Sequence, residues 1–253
     1  MISVNPGTPH GTIASIYYHD VVVGNGESFD RISLEKFDEQ MRYLSSQGYV
    51  SLVFSDLDRK ADFGEKSVLI TFDDGYLSNF SLVYPVMKKY GLKFNIFLEV
   101  GAVEIHENYL KWCMIKEMSE SGLVEFGAHT FSHIDARYID AANFGREIDL
   151  ANRLIEENAG RGVSDFCFPF GAYDRPVANQ LARMANYKRL HTSDGRRSTC
   201  LGSTALVGRV GIAQEDTQEV FIQKLNGRFD LYYRTLRLVK RALGAGAKRH
   251  SRH

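Results

Sequence analysis

The features that would send a chain to a bilayer, a disulfide scaffold or a nucleic acid are missing from this sequence. Its longest apolar runs are strand-length, far short of the ~20 residues that a membrane-spanning helix needs. There are only three cysteines, Cys113, Cys167 and Cys200. They are odd in number and scattered, which excludes a disulfide framework and a Cys-x-x-Cys metal pair. Lys and Arg number 31 and so do Asp and Glu, so there is no overall basic field and no nucleic-acid partner is expected. The first twenty residues lack a basic stretch followed by an apolar core, so no secretory leader and a reduced, cytoplasmic setting are expected. Internal repeats and low-complexity linkers are also absent. The one shift in composition comes at the end, where residues 228–253 hold eight Lys/Arg and a single acid.

What is present is an alternation of strand-like and helix-like stretches. TIASIYY (12–18), YVSLVF, SVLITF, KFNIFLEV, LVEFGAH, DFCFPF, YKRLHT and TALVGRV read as strands. Between them, Ser33 looks like an N-cap, with Leu34, Phe37, Met41 and Leu44 on one helical face before Gly48. YPVMKKYG carries a proline in its first turn and a stopping glycine. Residues 143–158 place Phe144, Ile148, Ala151 and Ile155 on one face. Repeated strand–helix alternation predicts an α/β fold with parallel strands covered by helices, and seven or eight strands suit a closed barrel. Residues 1–227 form the expected barrel domain and 228–253 a basic amphipathic helix and tail.

In such a barrel, functional groups gather where strands end. Three polar clusters sit at these ends. Asp73 and Asp74 follow LITF, His129 and His133 follow LVEF, and His19 and Asp20 follow SIYY. Two adjacent carboxylates at the end of an apolar run are electrostatically costly. Capping of the next helix would occupy one of them, but it calls for neither the second nor the histidine pair. Histidines four apart on a turn can reach one ion, and a single carboxylate completes a two-histidine, one-aspartate set with positions left open for water. The other carboxylate is then free to act as a general base. His10, His106 and His191 stand in no metal-ligand spacing.

TFDDGY (71–76), HTFSH (129–133) and FPFG (168–171) resemble, in order and interval, the first three motifs of the polysaccharide deacetylase superfamily, carbohydrate esterase family four. YYHD and the stretch FDRISLEKFDEQMRYLSSQGYVSL resemble its poly-N-acetylglucosamine deacetylase branch, in which an N-terminal histidine replaces a C-terminal one. The resemblance implies a distorted, TIM-like (β/α)7 barrel and a metal-dependent N-deacetylase. It implies that Asp73 is the catalytic base and His19 the general acid. Asp74, His129 and His133 would hold a divalent metal, zinc first, with cobalt or nickel as alternatives. The Phe170 backbone N–H would face the oxyanion. Tyr173 and Tyr76 are candidates for stacking on a sugar, with rim packing as the alternative for both. Asp20 and Asp174 are candidates for orienting His19 or for turn positions. The chain departs from the pattern at Cys167, where many relatives carry an arginine that orients the base. Arg209, in LVGRVGI, is the candidate replacement, the alternative being a surface arginine. Ile134 stands where proline is frequent, and the tryptophan motif of chitin-type members is not evident.

The expected substrate is an N-acetylated amino-sugar glycan or a lipid-linked precursor. The alternatives are a deformylase or other amidase on a lipid- or nucleotide-linked sugar, and a catalytically silent glycan-binding barrel. The stretch 230–243 sets leucines among four Lys/Arg, the pattern of a helix lying on an anionic membrane or packing on the barrel. Peripheral contact with the inner face of the membrane is therefore an expectation of the same reading.

Overall fold

Side chains alternate between two faces along a strand, and here the alternation sorts the sheet into an apolar outside and an inside that mixes polar groups with a small apolar cluster. The computed structural model describes residues 13–24, 30–59, 63–64, 66–195, 199–201 and 204–228. The expected amphipathic helix at 230–243 lies outside the described residues. The chain runs through β1 (Ala14–Tyr18), a ribbon of β2 (Asp20–Val22) and β3 (Arg31–Ser33), then α1 (Leu34–Ser46) and β4 (Val50–Leu52). The short α2 (Asp56–Arg59), β5 (Ser67–Phe72), α3 (Tyr84–Tyr90), β6 (Phe94–Leu98), α4 (Trp112–Glu120) and β7 (Val124–Ala128) follow. Next come α5 (Ala151–Ala159), β8 (Asp165–Cys167), α6 (Arg175–Met184) and β9 (Arg189–Thr192). The last elements are β10 (Thr199–Leu201), β11 (Thr204–Gly208), β12 (Val210–Gly211) and α7 (Gln218–Leu225). No helix among the described residues is long and apolar enough to cross a membrane.

Strands β1, β5, β6, β7, β8 and β9 lie side by side, all parallel. Closure comes from one stretch that changes partner. β11 pairs with β9 (Leu206 opposite Leu190), and β12 pairs with β1 (Val210 opposite Ile16). Arg209 is the residue between them. The result is the nearly closed barrel that the strand pattern predicts, in the (β/α)7 form that the family resemblance implies. β4 flanks only the first half of β5, and β6 flanks the second half. The reading of YVSLVF as a six-residue strand is therefore corrected: pairing ends at Leu52, and the chain turns beneath the barrel. There the Phe54 N–H donates to Asn95 Oδ1 (3.0 Å) and the Ser55 N–H to Glu125 Oε2 (2.8 Å).

Outward residues such as Ile16, Ile70, Phe72, Ile96, Phe166 and Leu190 form one large core with the helices. Inward residues Leu69, Phe97 and Cys167 meet Leu52, Phe54 and Leu57 in a smaller one. Ser33 caps α1, its Oγ accepting from the Lys36 N–H at 3.3 Å. Phe37, Met41 and Leu44 are fully buried from that helix, each contributing roughly 1.5–3 kcal/mol. Gly91 ends α3 in the left-handed conformation (φ 64°), as its place after YPVMKKY predicts. Residues 143–158 are not one uniform α-helix. A π-helical turn, Gly145–Leu150, leads into α5.

Candidate active site

β5 delivers both carboxylates, and the backbone separates them. Asp73 continues the inward alternation of Leu69 and Thr71. Asp74 leaves it, because its φ is +72°. Gly75 follows at φ +82°, and a Cβ there would stand 2.7 Å from Leu98 Cδ2. Only glycine fits that turn. The two acids therefore face different partners. Neither caps a helix: Ser78 is the residue before the next helical turn, and it makes no side-chain cap bond.

Asp73 is buried against Arg209. Its Oδ1 accepts from Nη1 at 2.7 Å and its Oδ2 from Nη2 at 2.8 Å. Arg209 is fully buried, which rules out the surface reading. Its guanidinium lies between the rings of Tyr17 (4.8 Å) and Phe97 (5.1 Å). It also donates to Thr71 Oγ1 (2.8 Å) and approaches Cys167 Sγ (2.8 Å). Burial pushes the Asp73 carboxyl up, but the charge and hydrogen bonds of Arg209 outweigh it and hold the group well below the usual carboxylate range. The thiol at 167 leaves room for an arginine delivered from across the barrel.

Asp74 faces the histidine loop that follows β7. Its Oδ1 is 3.5 Å from His129 Nε2 and 3.3 Å from His133 Nε2. The two imidazoles lie 4.9 Å apart, centre to centre. Their loop is a tight non-helical turn with Thr130 at φ +64° and His133 at φ +54°. Asp74, His129 and His133 offer donor atoms all within 4.8 Å of one another. Asp74 Oδ1 is buried and, with only the two imidazole nitrogens facing it at 3.3 and 3.5 Å, makes no well-aligned hydrogen bond among the described residues, a costly state unless a cation answers it. The His129 Nδ1–H donates to the Cys167 carbonyl at 2.8 Å, which turns the Nε2 lone pair toward Asp74 as a metal ligand requires. Burial drives His129 down to about 4 despite both carboxylates, so the ring stays neutral. Burial also opposes charge on His133, but its contact with Asp74 prevails and raises it. The donor set fits a divalent cation. A second grouping, Asp73 with His129 and Cys167, is equally compact, but it fits poorly. Both oxygens of Asp73 are occupied by Arg209, and burial pushes the Cys167 thiol up and away from the thiolate a metal needs.

His19 follows β1, next to Asp73, whose N–H donates to the Tyr18 carbonyl at 3.0 Å. Its ring is one-fifth exposed, and its Nδ1 lies 3.6 Å from Asp30 Oδ1. Asp20 accepts from Ser78 Oγ (2.6 Å), and Asp174 caps α6 through the Val177 N–H (3.0 Å), so neither orients His19. Asp30 is the acid that meets it, and the sequence carried no signal for that beyond its place in the loop after YYHD. Phe170 has φ +59°, and its exposed ring stands 4.4 Å from that of His133. The turn's own bonds are made by the N–H groups of Gly171 and Ala172, that of Phe168 donates to the His191 carbonyl, and that of Phe170 is not among them. Tyr173 stacks on Phe168 (4.6 Å), and Tyr76 lies against Tyr109 (5.0 Å), so both pack in the rim. Glu99, after β6, is raised by burial, with the nearby Asp74 adding to the rise. It too went unread, because its strand end carries no motif.

The polysaccharide deacetylase family model matches residues 60–189, about half the chain. The sequence is similar to YxkH of Bacillus subtilis (strain 168), 28% identical over 195 residues, which cover 76% of this chain and 68% of that one. It is similar to the poly-beta-1,6-N-acetyl-D-glucosamine N-deacetylase of Staphylococcus aureus (strain MSSA476), 26% identical over 156 residues, 55% of this chain and 53% of that one. The match thus spans about half the length of the staphylococcal relative. The fold is shared with the Streptococcus pyogenes deacetylase PplD, solved in complex with acetate: TM-score 0.77 at 21% identity, covering 85% of this chain and 99% of that one.

Proposed function

The chain belongs to the polysaccharide deacetylase family, and from that membership we propose a divalent-metal-dependent N-deacetylase that hydrolyses the acetamido group of an N-acetylated amino sugar. The substrate is a glycan or a lipid-linked glycan precursor met on the cytoplasmic side. The observation that carries the reading is the division of labour between adjacent acids, Asp73 locked to a buried arginine and Asp74 turned to two imidazoles with a buried oxygen unanswered. Asp74, His129 and His133 would hold the cation, zinc first, with cobalt or nickel as alternatives. When bound, such an ion supplies Lewis acidity that lowers the pKa of water toward about 7 and polarises a carbonyl.

The remaining work falls to the chain's own groups. Asp73, kept ionised and fixed in direction by Arg209, accepts a proton from the attacking water. The Phe170 N–H donates to the oxygen that becomes negative as the carbonyl carbon turns tetrahedral, a contribution of about 2.7–4 kcal/mol. His19 gives a proton to the departing nitrogen, which is otherwise a poor leaving group. The products are acetate and a free amino sugar.

Acetate release from N-acetylglucosamine oligomers, measured with and without chelator, tests the proposal. We expect chelation to abolish release and added Zn²⁺ or Co²⁺ to restore it. Undiminished release by the metal-stripped protein would refute it. Contact of residues 228–253 with an anionic membrane belongs to the same proposal, supported by their eight Lys/Arg against one acid. Equal sedimentation with acidic vesicles by the full chain and by a chain ending at 227 would remove that part.

A further inference from the structure

The histidine loop is clasped by a helical turn whose residues are none of the groups placed in the site above. Glu147 lies in the π-helical turn Gly145–Leu150 and is buried. Its Oε2 accepts from the N–H groups of Phe131 (3.2 Å) and Ser132 (3.0 Å), and its Oε1 accepts from Ser132 Oγ (2.9 Å). The neighbouring Arg146 guanidinium lies over the Phe131 ring at 4.9 Å. From the opposite side, the Gly101 N–H donates to the Phe131 carbonyl at 2.6 Å. A Cβ at Gly101 would sit 2.6 Å from that same oxygen, so the approach requires glycine.

Two of the five residues of this loop, Thr130 and His133, occupy the left-handed region. β-Branched Thr130 is strongly disfavoured there. A loop in that state keeps its shape only when its surroundings over-determine it. Glu147 shares a helical face with Phe144, Ile148 and Ala151, all buried. A carboxylate on such a face loses its hydration and must be answered by donors. Every donor named above to Glu147 comes from residues 131 and 132, immediately before His133. π-Helical turns recur at functional sites because they redirect a side chain from its ordinary helical position.

We propose that Glu147 is a positioning residue for metal affinity: by accepting hydrogen bonds from Phe131 and Ser132 it fixes His133 against Asp74. The proposal rests on Asp74, His129 and His133 being the metal ligands. It is tested on the full chain, stripped of metal and titrated with Zn²⁺ or Co²⁺ in competition with a chromophoric chelator. Wild type should bind one ion, and Asp74→Ala should lose it. Glu147→Ala should bind about ten- to a hundredfold more weakly, with turnover recovering toward wild type at saturating ion. Glu147→Gln keeps an acceptor oxygen for the two amides and should stay within a few-fold of wild type. Ser132→Ala removes one of the three bonds at an exposed position and should weaken binding a few-fold. It decides the matter if Glu147→Ala does not fold. Unchanged affinity in folded Glu147→Ala, or in Ser132→Ala should the former not fold, overturns the proposal, as does Glu147→Gln binding as weakly as Glu147→Ala. If Asp74→Ala alone loses the ion, only the role of Glu147 falls. If wild type binds no ion, the metal reading of the site falls with it.

Discussion

The barrel contains two buried clusters of aspartate, arginine and histidine, one at its floor and one at its mouth. At the floor, Asp165 accepts from Arg189 Nε (2.7 Å) and Nη2 (2.8 Å), from Ser164 Oγ (2.7 Å) and from His191 Nε2 (2.8 Å). Arg189 continues to Asp58 Oδ1 at 2.6 Å. Both oxygens of Asp165 have donors, and Asp165, Arg189 and His191 stand on ordinary strand, although His191 Nδ1 is left without a partner among the described residues. At the mouth, Asp74 Oδ1 makes no well-aligned hydrogen bond, and Asp74, Thr130, His133 and Phe170 all have φ between +54° and +72°. The same residue types thus do two jobs. A cluster whose charges cancel internally holds strands together. One that is strained and under-satisfied has capacity left for a ligand, and that incompleteness is maintained by neighbours that have no part in the chemistry.

The largest expected effect separates the two acids. Asp73→Asn should lower kcat by about 10²–10⁴ with metal content unchanged, read as acetate release. Asp165→Asn should leave kcat within about twofold yet lower Tm by about 10 °C, since breaking a buried pair costs about 3–5 kcal/mol. A folded Asp165→Asn protein without turnover would break the comparison. The arginines sharpen it further. Arg209→Met should cost about tenfold to a hundredfold in kcat with little change in KM, because a base displaced by about 1 Å is penalised on that scale. Arg189→Met should act on Tm alone. A KM effect as large as the kcat effect in Arg209→Met would assign that residue to substrate binding instead.

The smallest effect is in pH. Burial raises Asp165, but its hydrogen bonds from His191 and Arg189 win and bring it to about 2, below its unfolded value near 3.9. Its contribution is therefore complete above about pH 3.9 and lost as pH falls toward 2. His191, lowered chiefly by burial, is neutral in the fold, so protonation of the unfolded chain begins to withdraw stability below about pH 6.5. Thermal melts from pH 8 to pH 3 should show a gradual decline that steepens at the acid end. A flat profile would mean that the floor is not held by these charges.

Much of the fold was legible because its signals are local. Ser33 as a cap, Pro85 and Gly91 bracketing α3, and the apolar stripe of residues 144–155 each act within a turn or two of chain. The candidate site was half legible. The motifs named Asp73, Asp74, His129, His133 and His19, and all five stand at the mouth. Asp30 and Glu99 were missed because nothing nearby in sequence marks them. Glu147 did leave a trace, an acid on the same face as Phe144, Ile148 and Ala151. Such a residue reads as a flaw in a helix until its donors are known.

By itself the sequence determined the strand–helix alternation and the chemistry carried to the strand ends, because both follow from periodicity and residue type over short spans. Only the tertiary structure decided which carboxylate meets which partner. A left-handed turn at Asp74 swings it to the histidines, while Asp73 stays on the inward face. The closing strand changes neighbours at Arg209 and brings that guanidinium to Asp73 from 136 residues away. Contacts across that separation exist only once the barrel has closed, since the chain holds no local preference for them.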